Sequence, residues 1–421
     1  MTDARVLRRS QRLARRTVVE AEGNYLITDT GQHVLDAVSG SMTTSFGYTN
    51  PDVVEAMEAM ARRLPYVHDS RAGYAEVDEL TGLLLDGCPL DDPRVYYTVS
   101  GSDAVEAAIR IAALSRPGRG TVLGVEGSYH GSTLGALRAT GAPRITAELQ
   151  QLIGAQHLLP APLPTADRER CLEQVREVFR RHGEDIVAVV VEPVIANGSG
   201  TVVLPRWYTA ALRLECDRYG AVVIADEITT SLWRCGTKFT SPTVGLQPDL
   251  LCVGKGLAVG YAAISAVLAR GAVADAAAAR GGLLGHNYNT HPIAVAAAAA
   301  TLRKTGAATF ETDIDRIGHD LEQALAAAVE RSPWLTGYRR VGLLASVDLA
   351  DDRGLTSEAV ANALWEQGEL LVLAGKGARG GGRGEHITLA PSFVTSSLEI
   401  DVALARITSL LATHERMLTD A

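Results

Sequence analysis

The sequence predicts an α/β fold, with a large, doubly wound, mostly parallel sheet and a smaller α+β unit assembled from the two ends of the chain. Three observations carry this prediction. Short β-branched runs alternate with helical stretches through the middle of the chain, the pattern of strand–helix–strand units. Two of the runs, at 186–191 and 221–225, are apolar without interruption, as strands covered on both faces are. The residues best suited to chemistry fall just past the ends of such runs, where open parallel sheets bind their ligands.

Taken in order, the arginine-rich start (Arg5, Arg8, Arg9, Arg12, Arg15, Arg16) lacks the apolar run of a signal peptide and reads as an amphipathic helix on a solvated face. Residues 24–38 read as a hairpin around Asp29-Thr30-Gly31. Strands are expected at 94–99, 121–125, 186–191, 221–225, 250–253 and 263–268, and helices between them at 103–115, 168–181 and 208–219. Beyond these lie helices at 310–330, 355–367 and 398–417 and a strand at 341–349. The glycine-dense segment 375–384 is expected to lack regular structure and to be mobile. The larger domain then spans 50–304, and 1–49 with 305–421 forms the smaller one.

Composition removes several classes of function. A net charge of −9 argues against non-specific nucleic-acid or membrane-surface binding. No stretch reaches the roughly 18 uncharged apolar residues of a membrane span, and the alanine-rich run 293–302 is too short. Cys88, Cys171, Cys216, Cys235 and Cys252 are odd in number and scattered, without a C-x-x-C pair. That spacing suits a reducing, cytoplasmic setting and no zinc or other metal site.

Only four of the 40 Lys and Arg residues are lysine, and Lys255 stands between two glycines after the run 250–253. Where arginine serves almost everywhere, a lysine at a strand end suggests a role arginine cannot fill: losing its proton near neutral pH and forming a Schiff base. Ser100-Gly101-Ser102-Asp103-Ala104 lies between a strand and an amphipathic helix. Its free N–H groups would make an anion site, though an N-cap at Ser102 or Asp103 explains the same residues. Asp226-Glu227 closes a buried strand as ligand or as cap. A magnesium-binding ATPase would also need a G-x-x-x-x-G-K-[ST] loop, and Gly254-Lys255-Gly256 lacks the hydroxyl. Tyr129, followed by His130 and Gly131, either stacks on a flat ligand or packs. With Glu192, five features share one sheet edge.

These pieces, in this order and spacing, carry a resemblance. Phe46-Gly47-Tyr48-Thr49-Asn50-Pro51, the 100–106 segment, Tyr129-His130-Gly131, Glu192-Pro193-Val194, Asp226-Glu227-Ile228, Arg234, Gly254-Lys255-Gly256-Leu257, His291-Pro292 and Leu389-Ala390-Pro391 are involved. Through them the chain resembles the class III aminotransferases, fold-type I enzymes dependent on pyridoxal 5′-phosphate (PLP). The resemblance implies that Lys255 holds the cofactor as a Schiff base and moves the substrate proton. Asp226 would pair with the pyridine nitrogen, Ile228 and Tyr129 would sandwich the ring, Gly101 and Ser102 would hold the phosphate, and Glu192 would support the ring from behind. It also implies a homodimer with its site at the interface, where the partner's 286–290 loop completes the phosphate cradle through Asn287 or Thr290. The expected reaction is ping-pong transfer from an amine or amino acid donor to a keto acid or aldehyde acceptor. An epimerase, aminomutase or decarboxylase on the same fold is the alternative, and an ATP- and magnesium-binding protein a remote one.

Several positions depart from the family pattern. Members acting on ornithine-like or γ-aminobutyrate-like substrates carry an Arg and a gating Glu where this chain has Thr388 and Asn197, and threonine cannot replace a bidentate clamp. The remaining pattern is closer to the amine:pyruvate and diaminopelargonate-type branch. There a mobile Arg binds carboxylates; Arg379 or Arg383 is that residue, or both are solvated loop charges. Met42 replaces a bulky aromatic, either lining an adaptable pocket or serving as core. At Thr229 many members carry Gln near the ring hydroxyl.

Overall fold

The uninterrupted apolar runs become the centre of an eight-stranded sheet. The computed structural model describes residues 16–282, 285, 287–350, 354–380 and 382–419, with side chains to 413 in the last helix. From one edge the strand order is Arg94–Thr98, Ser265–Ala269, Leu250–Val253, Val222–Asp226, Ile186–Val191 and Thr121–Glu126. The short strands Thr140–Gly141 and His157–Leu159 pair with the last of these. The neighbours run parallel except Ser265–Ala269, which is antiparallel to both of its partners.

Alternation across the pleat divides the strands between two apolar layers. Val222 and Ile224 join Ala104, Ala108 and Ile111 of the helix Gly101–Ser115. Val223 and Ala225 join Phe179 of the helix Arg168–His182 and Tyr208 and Leu212 of the helix Arg206–Tyr219. Cover on both faces is why these runs contain no polar alternation.

The two ends of the chain meet directly. The strands Val18–Glu22, Tyr25–Thr28 and His33–Asp36 form a meander, and His33–Asp36 pairs in parallel with Leu370–Leu371. A second sheet runs Leu335–Val341, Leu344–Leu349, Glu385–Leu389, Leu373–Lys376, all antiparallel. The alanine-rich run is the helix Pro292–Thr305, whose small side chains let it pack against the helices Pro51–Arg63 and Ala75–Leu85. Among the described residues no helix is long and apolar enough to cross a membrane.

Four expectations need correction. The helix expected from 103 begins at Gly101, and its N-cap is Ser100 instead of Ser102 or Asp103. Two bonds fix that start: Ser100 Oγ accepts from Asp103 N at 3.2 Å, and Asp103 Oδ2 accepts from Val99 N, one residue before the cap, at 3.1 Å. The strand expected at 341–349 is a hairpin whose first arm, Leu335–Val341, has too mixed a composition to announce itself. Val18–Glu22 was not expected; as a largely exposed edge strand it lacks an apolar face. The segment 375–384 opens inside the strand Leu373–Lys376 and closes as a turn, with Gly377 N donating to Gly384 O and Arg379 N to Arg383 O, both at 3.0 Å. Its glycines supply positive φ at 377, 380, 382 and 384, which explains their density. The arginines before Arg16 lie outside the described residues.

One buried charge joins these parts. Arg234 donates to the carbonyls of Leu343 (3.1 Å) and Pro391 (2.6 Å) and to Ser39 Oγ (3.4 Å) and Ser45 Oγ (3.1 Å), with its guanidinium 5.2 Å from the centre of the Phe393 ring. Burial pushes its pKa down to about 10, so it stays charged. Arg234→Ala is expected to destabilise the protein by about 3–5 kcal/mol, since four acceptors lose their donor at once; urea unfolding of the two proteins measures it.

Candidate active site

Register builds the site. Ala225 lies beside Val191 and beside Leu251 in the parallel sheet, so Glu192 and Asp226 emerge next to one another at the carboxyl edge. Lys255 follows three residues after Cys252 in a short turn, Lys255–Leu257.

The turn 226–229 organises what surrounds it. Asp226 is buried; Oδ1 accepts from Ile228 N at 3.1 Å, and Oδ2 lies 2.8 Å from His130 Nδ1. Ile228 reaches both Gly101 and Gly254: a Cβ on Gly101 would stand 2.9 Å from Ile228 Cγ2, and one on Gly254 3.0 Å from its Cδ1. Only glycine before Ser102 therefore lets the helix start approach the isoleucine. Thr229 Oγ1 accepts from Lys255 Nζ at 2.6 Å. Lys255 itself has φ +37, a conformation non-glycine residues adopt at a cost and one that gathers at functional sites.

Tyr129 is exposed, and its backbone N–H donates to Glu192 Oε1 at 2.9 Å; Ala196 N donates to Oε2 at 3.3 Å. Burial pushes the Glu192 carboxyl up to about 7, with the nearby Asp226 charge adding to the rise and His130 opposing it. Ser102 Oγ accepts from Ser132 N at 3.0 Å, joining the helix start to the loop carrying Tyr129.

Glu227, one residue past the strand end, turns the other way. It accepts from Thr240 N at 2.6 Å and Ser241 N at 2.7 Å, and burial raises its pKa. The acidic pair is thus divided between two faces, an arrangement unsuited to clamping one magnesium ion.

Lys255, Asp226, Ile228, Glu192, Tyr129, Gly101 and Ser102 are therefore brought together. Others stand apart within one chain. Asn287 is exposed and Thr290 half-buried, with its carbonyl accepting from Tyr74 Oη at 2.7 Å; His286 lies outside the described residues. Among the described residues of that loop, Asn289 is the buried one. Arg379 and Arg383 are exposed on their hairpin turn. Met42 is buried with φ +58 in an apolar cluster that also holds Val194 and Ala196, its loop held by Asp36, which accepts from Val38 N (2.9 Å), Gly40 N (2.5 Å) and Tyr48 Oη (2.6 Å). Asn197 and Thr388 meet: Thr388 Oγ1 donates to Asn197 Oδ1 at 2.8 Å. Sequence reasoning passed over His130, although it directly follows Tyr129, and gave Thr229 little weight although it is three residues past Asp226.

Residues 6–411 match the family described as Aminotransferase class-III. The chain belongs to the class III aminotransferases. It is 32% identical to the adenosylmethionine-8-amino-7-oxononanoate aminotransferase of Nitratidesulfovibrio vulgaris over 79% of this chain and 65% of that longer protein. It is likewise 32% identical to the 2-aminoadipate transaminase of Pseudomonas putida, over 84% of this chain and 87% of that one. Among solved structures, an amine transaminase from an uncultivated Pseudomonas species, in its PLP-bound form, is 28% identical with a TM-score of 0.85, covering 95% of each chain. The aminotransferase is a PLP-dependent enzyme of fold-type I.

The residues present fit that cofactor. An amine on a tether, a buried carboxylate, an apolar side chain between two glycines and the helix start at Gly101 and Ser102 are what an aldehyde, a pyridine nitrogen, a flat ring and a phosphate require.

Glu192 makes a testable claim about the apo-aminotransferase. Its folded pKa of about 7 lies above the usual carboxylate value, so the folded chain keeps a proton that the unfolded chain releases. This contribution to stability is present in acid and is lost as pH rises through about 7. Relative to Glu192→Gln, the wild type is expected to lose on the order of 2 kcal/mol between pH 5 and pH 8; denaturant titrations at both values measure it.

Proposed function

We propose that this aminotransferase holds PLP with Lys255 at its aldehyde, Asp226 at its pyridine nitrogen, Ile228 and Tyr129 on the two ring faces, Gly101 and Ser102 at the phosphate, and Glu192 behind. The observation that carries the reading is the turn 226–229, which sets the buried Asp226 carboxylate, the Ile228 face and the Lys255–Thr229 contact of 2.6 Å within four residues. Bound there, PLP supplies an aldehyde that takes up the amino group and a ring that accepts the electron pair left on the donor carbon. The chain's own residues do the rest. Lys255 Nζ takes the proton from the donor carbon and returns it at the acceptor. Thr229 Oγ1 orients that amine. His130 Nδ1, 2.8 Å from Asp226 Oδ2, fixes the position of the carboxylate that faces the ring nitrogen.

The donor is a primary amine or amino acid and the acceptor a keto acid or aldehyde. The neutral Thr388–Asn197 bond favours donors without a second carboxylate to be clamped over γ-aminobutyrate-like ones. Arg379 or Arg383 is the proposed carboxylate-binding residue for the keto acid, and Met42 shapes the small pocket.

The same reading makes the enzyme a homodimer in which the partner copy contributes Asn287 and Thr290. Supporting it, Tyr288 beside Asn287 is exposed and pairs edge-on with exposed Tyr66 at 6.3 Å, an aromatic surface suited to burial. A solution mass of one 44.6 kDa chain would end this part of the reading. The division into domains at 49/50 and 304/305 and a cytoplasmic location, supported by five free thiols, complete the proposal.

Adding an amine donor to the holoenzyme is expected to bleach its visible band, and adding pyruvate or 2-oxoglutarate to restore it. A band that persists with every donor would favour an epimerase or decarboxylase. Lys255→Ala is expected to lower turnover by about 10²–10⁴-fold or more and to abolish borohydride trapping of the cofactor. Either Arg379→Ala or Arg383→Ala should raise the KM for the keto acid; unchanged values in both would remove that assignment.

A further inference from the structure

Asn197 is where the loop after Glu192 meets the antiparallel sheet of the carboxyl-terminal segment. Its Nδ2 donates to Ala374 O at 3.2 Å, its Oδ1 accepts from Thr388 Oγ1 at 2.8 Å, and its carbonyl accepts from His386 Nε2 at 3.2 Å. Burial, with the Arg339 charge adding to it, pushes His386 down to about 4, so the ring is neutral and keeps its proton on Nε2 for that carbonyl. Behind Thr388 runs a row of hydroxyls, Ser346 Oγ at 3.4 Å and then Thr201 Oγ1 at 2.8 Å. Thr201 belongs to the same loop as Asn197, so the sheet grips the loop at both ends.

One residue on, Gly198 is pressed from two sides. A Cβ on Gly377 would stand 2.6 Å from Gly198 O, and a Cβ on Gly198 would stand 1.9 Å from Gly127 O. The loop is thus a wedge with the hairpin of Arg379 and Arg383 on one side and the approach to Tyr129 on the other. Toward the site, Ala196 N and Tyr129 N both donate to Glu192, at 3.3 and 2.9 Å. An unbroken path therefore leads from Thr388 through Asn197, Ala196 and Glu192 to Tyr129.

We infer that Asn197, held by Thr388, is a positioning residue for amino-group transfer, fixing Tyr129 and the hairpin 377–384 relative to one another so that neither shifts alone. The inference rests on the active-site reading above for its catalytic consequence, but the coupling is read without any substrate. The test is hydrogen exchange followed by mass spectrometry on the holoenzyme and on Asn197→Ala and Thr388→Val. The second variant keeps the shape of the side chain and decides the matter if the first fails to fold. Exchange is expected to quicken in peptides covering both 127–131 and 377–384, with the helix Gly101–Ser115 unchanged and the cofactor retained. The donor kcat/KM is expected to fall about tenfold in each single variant. The double variant should be no slower than Asn197→Ala, because contacts in series are not additive. Faster exchange confined to 194–203, or additive losses in the double variant, would overturn the inference. Failure of the transaminase reading would show separately, as a wild type whose visible band no amine bleaches.

Discussion

Because side chains alternate across a strand, slipping Val222–Asp226 by one residue against Ile186–Val191 would turn Asp226 away from His130 and present Glu227 in its place. The two carboxylates have opposite duties, one facing the proposed cofactor and the other anchoring Thr240 and Ser241, so the exchange would cost both. A slip would still offer apolar side chains to both layers, so register is held by polar contacts: Glu227 with Thr240 N and Ser241 N, and Val223 N with Asp249 Oδ2 at 2.9 Å.

Strained backbone and buried charge meet at Ser39, whose φ is +49 and whose Oγ accepts from Arg234. Of the eight non-glycine residues with positive φ among the described residues, four (Ser39, Met42, Lys255 and Val259) fall within 39–42 and 255–259. Such conformations persist only where the surroundings over-determine them. Arg234 contributes to this by tying Ser39 and Ser45 to the carbonyls of Leu343 and Pro391, which belong to remote parts of the chain. A buried guanidinium is costly to desolvate, and its polar partners offset that cost only while all of them are in place.

Much of this was legible in the sequence, for identifiable reasons. The central strands announced themselves through continuous β-branched runs, and Lys255 and Asp226 through their positions at strand ends. Local turn chemistry was less legible: the residues pointed to a cap at Ser102 or Asp103, whereas Ser100 caps the helix through Asp103 N and Asp103 in turn accepts from Val99 N. The edge strand Val18–Glu22 has no buried face to impose alternation. The glycines of 375–384 were read as freedom, whereas they serve a tight turn with fixed hydrogen bonds. The pairing of Asn197 with Thr388 could not be read from either residue, because 191 positions separate them and only the fold brings them together.

That pairing has one more consequence. Recognition by a guanidinium draws on a field that dissolved ions weaken, and it reaches beyond the contact itself. A hydroxyl bonded to an amide oxygen has no net charge to screen and acts only at contact. On the reading proposed above for Asn197 and Thr388, the enzyme chooses among donors by shape and fit, and that choice should change little between dilute buffer and concentrated salt.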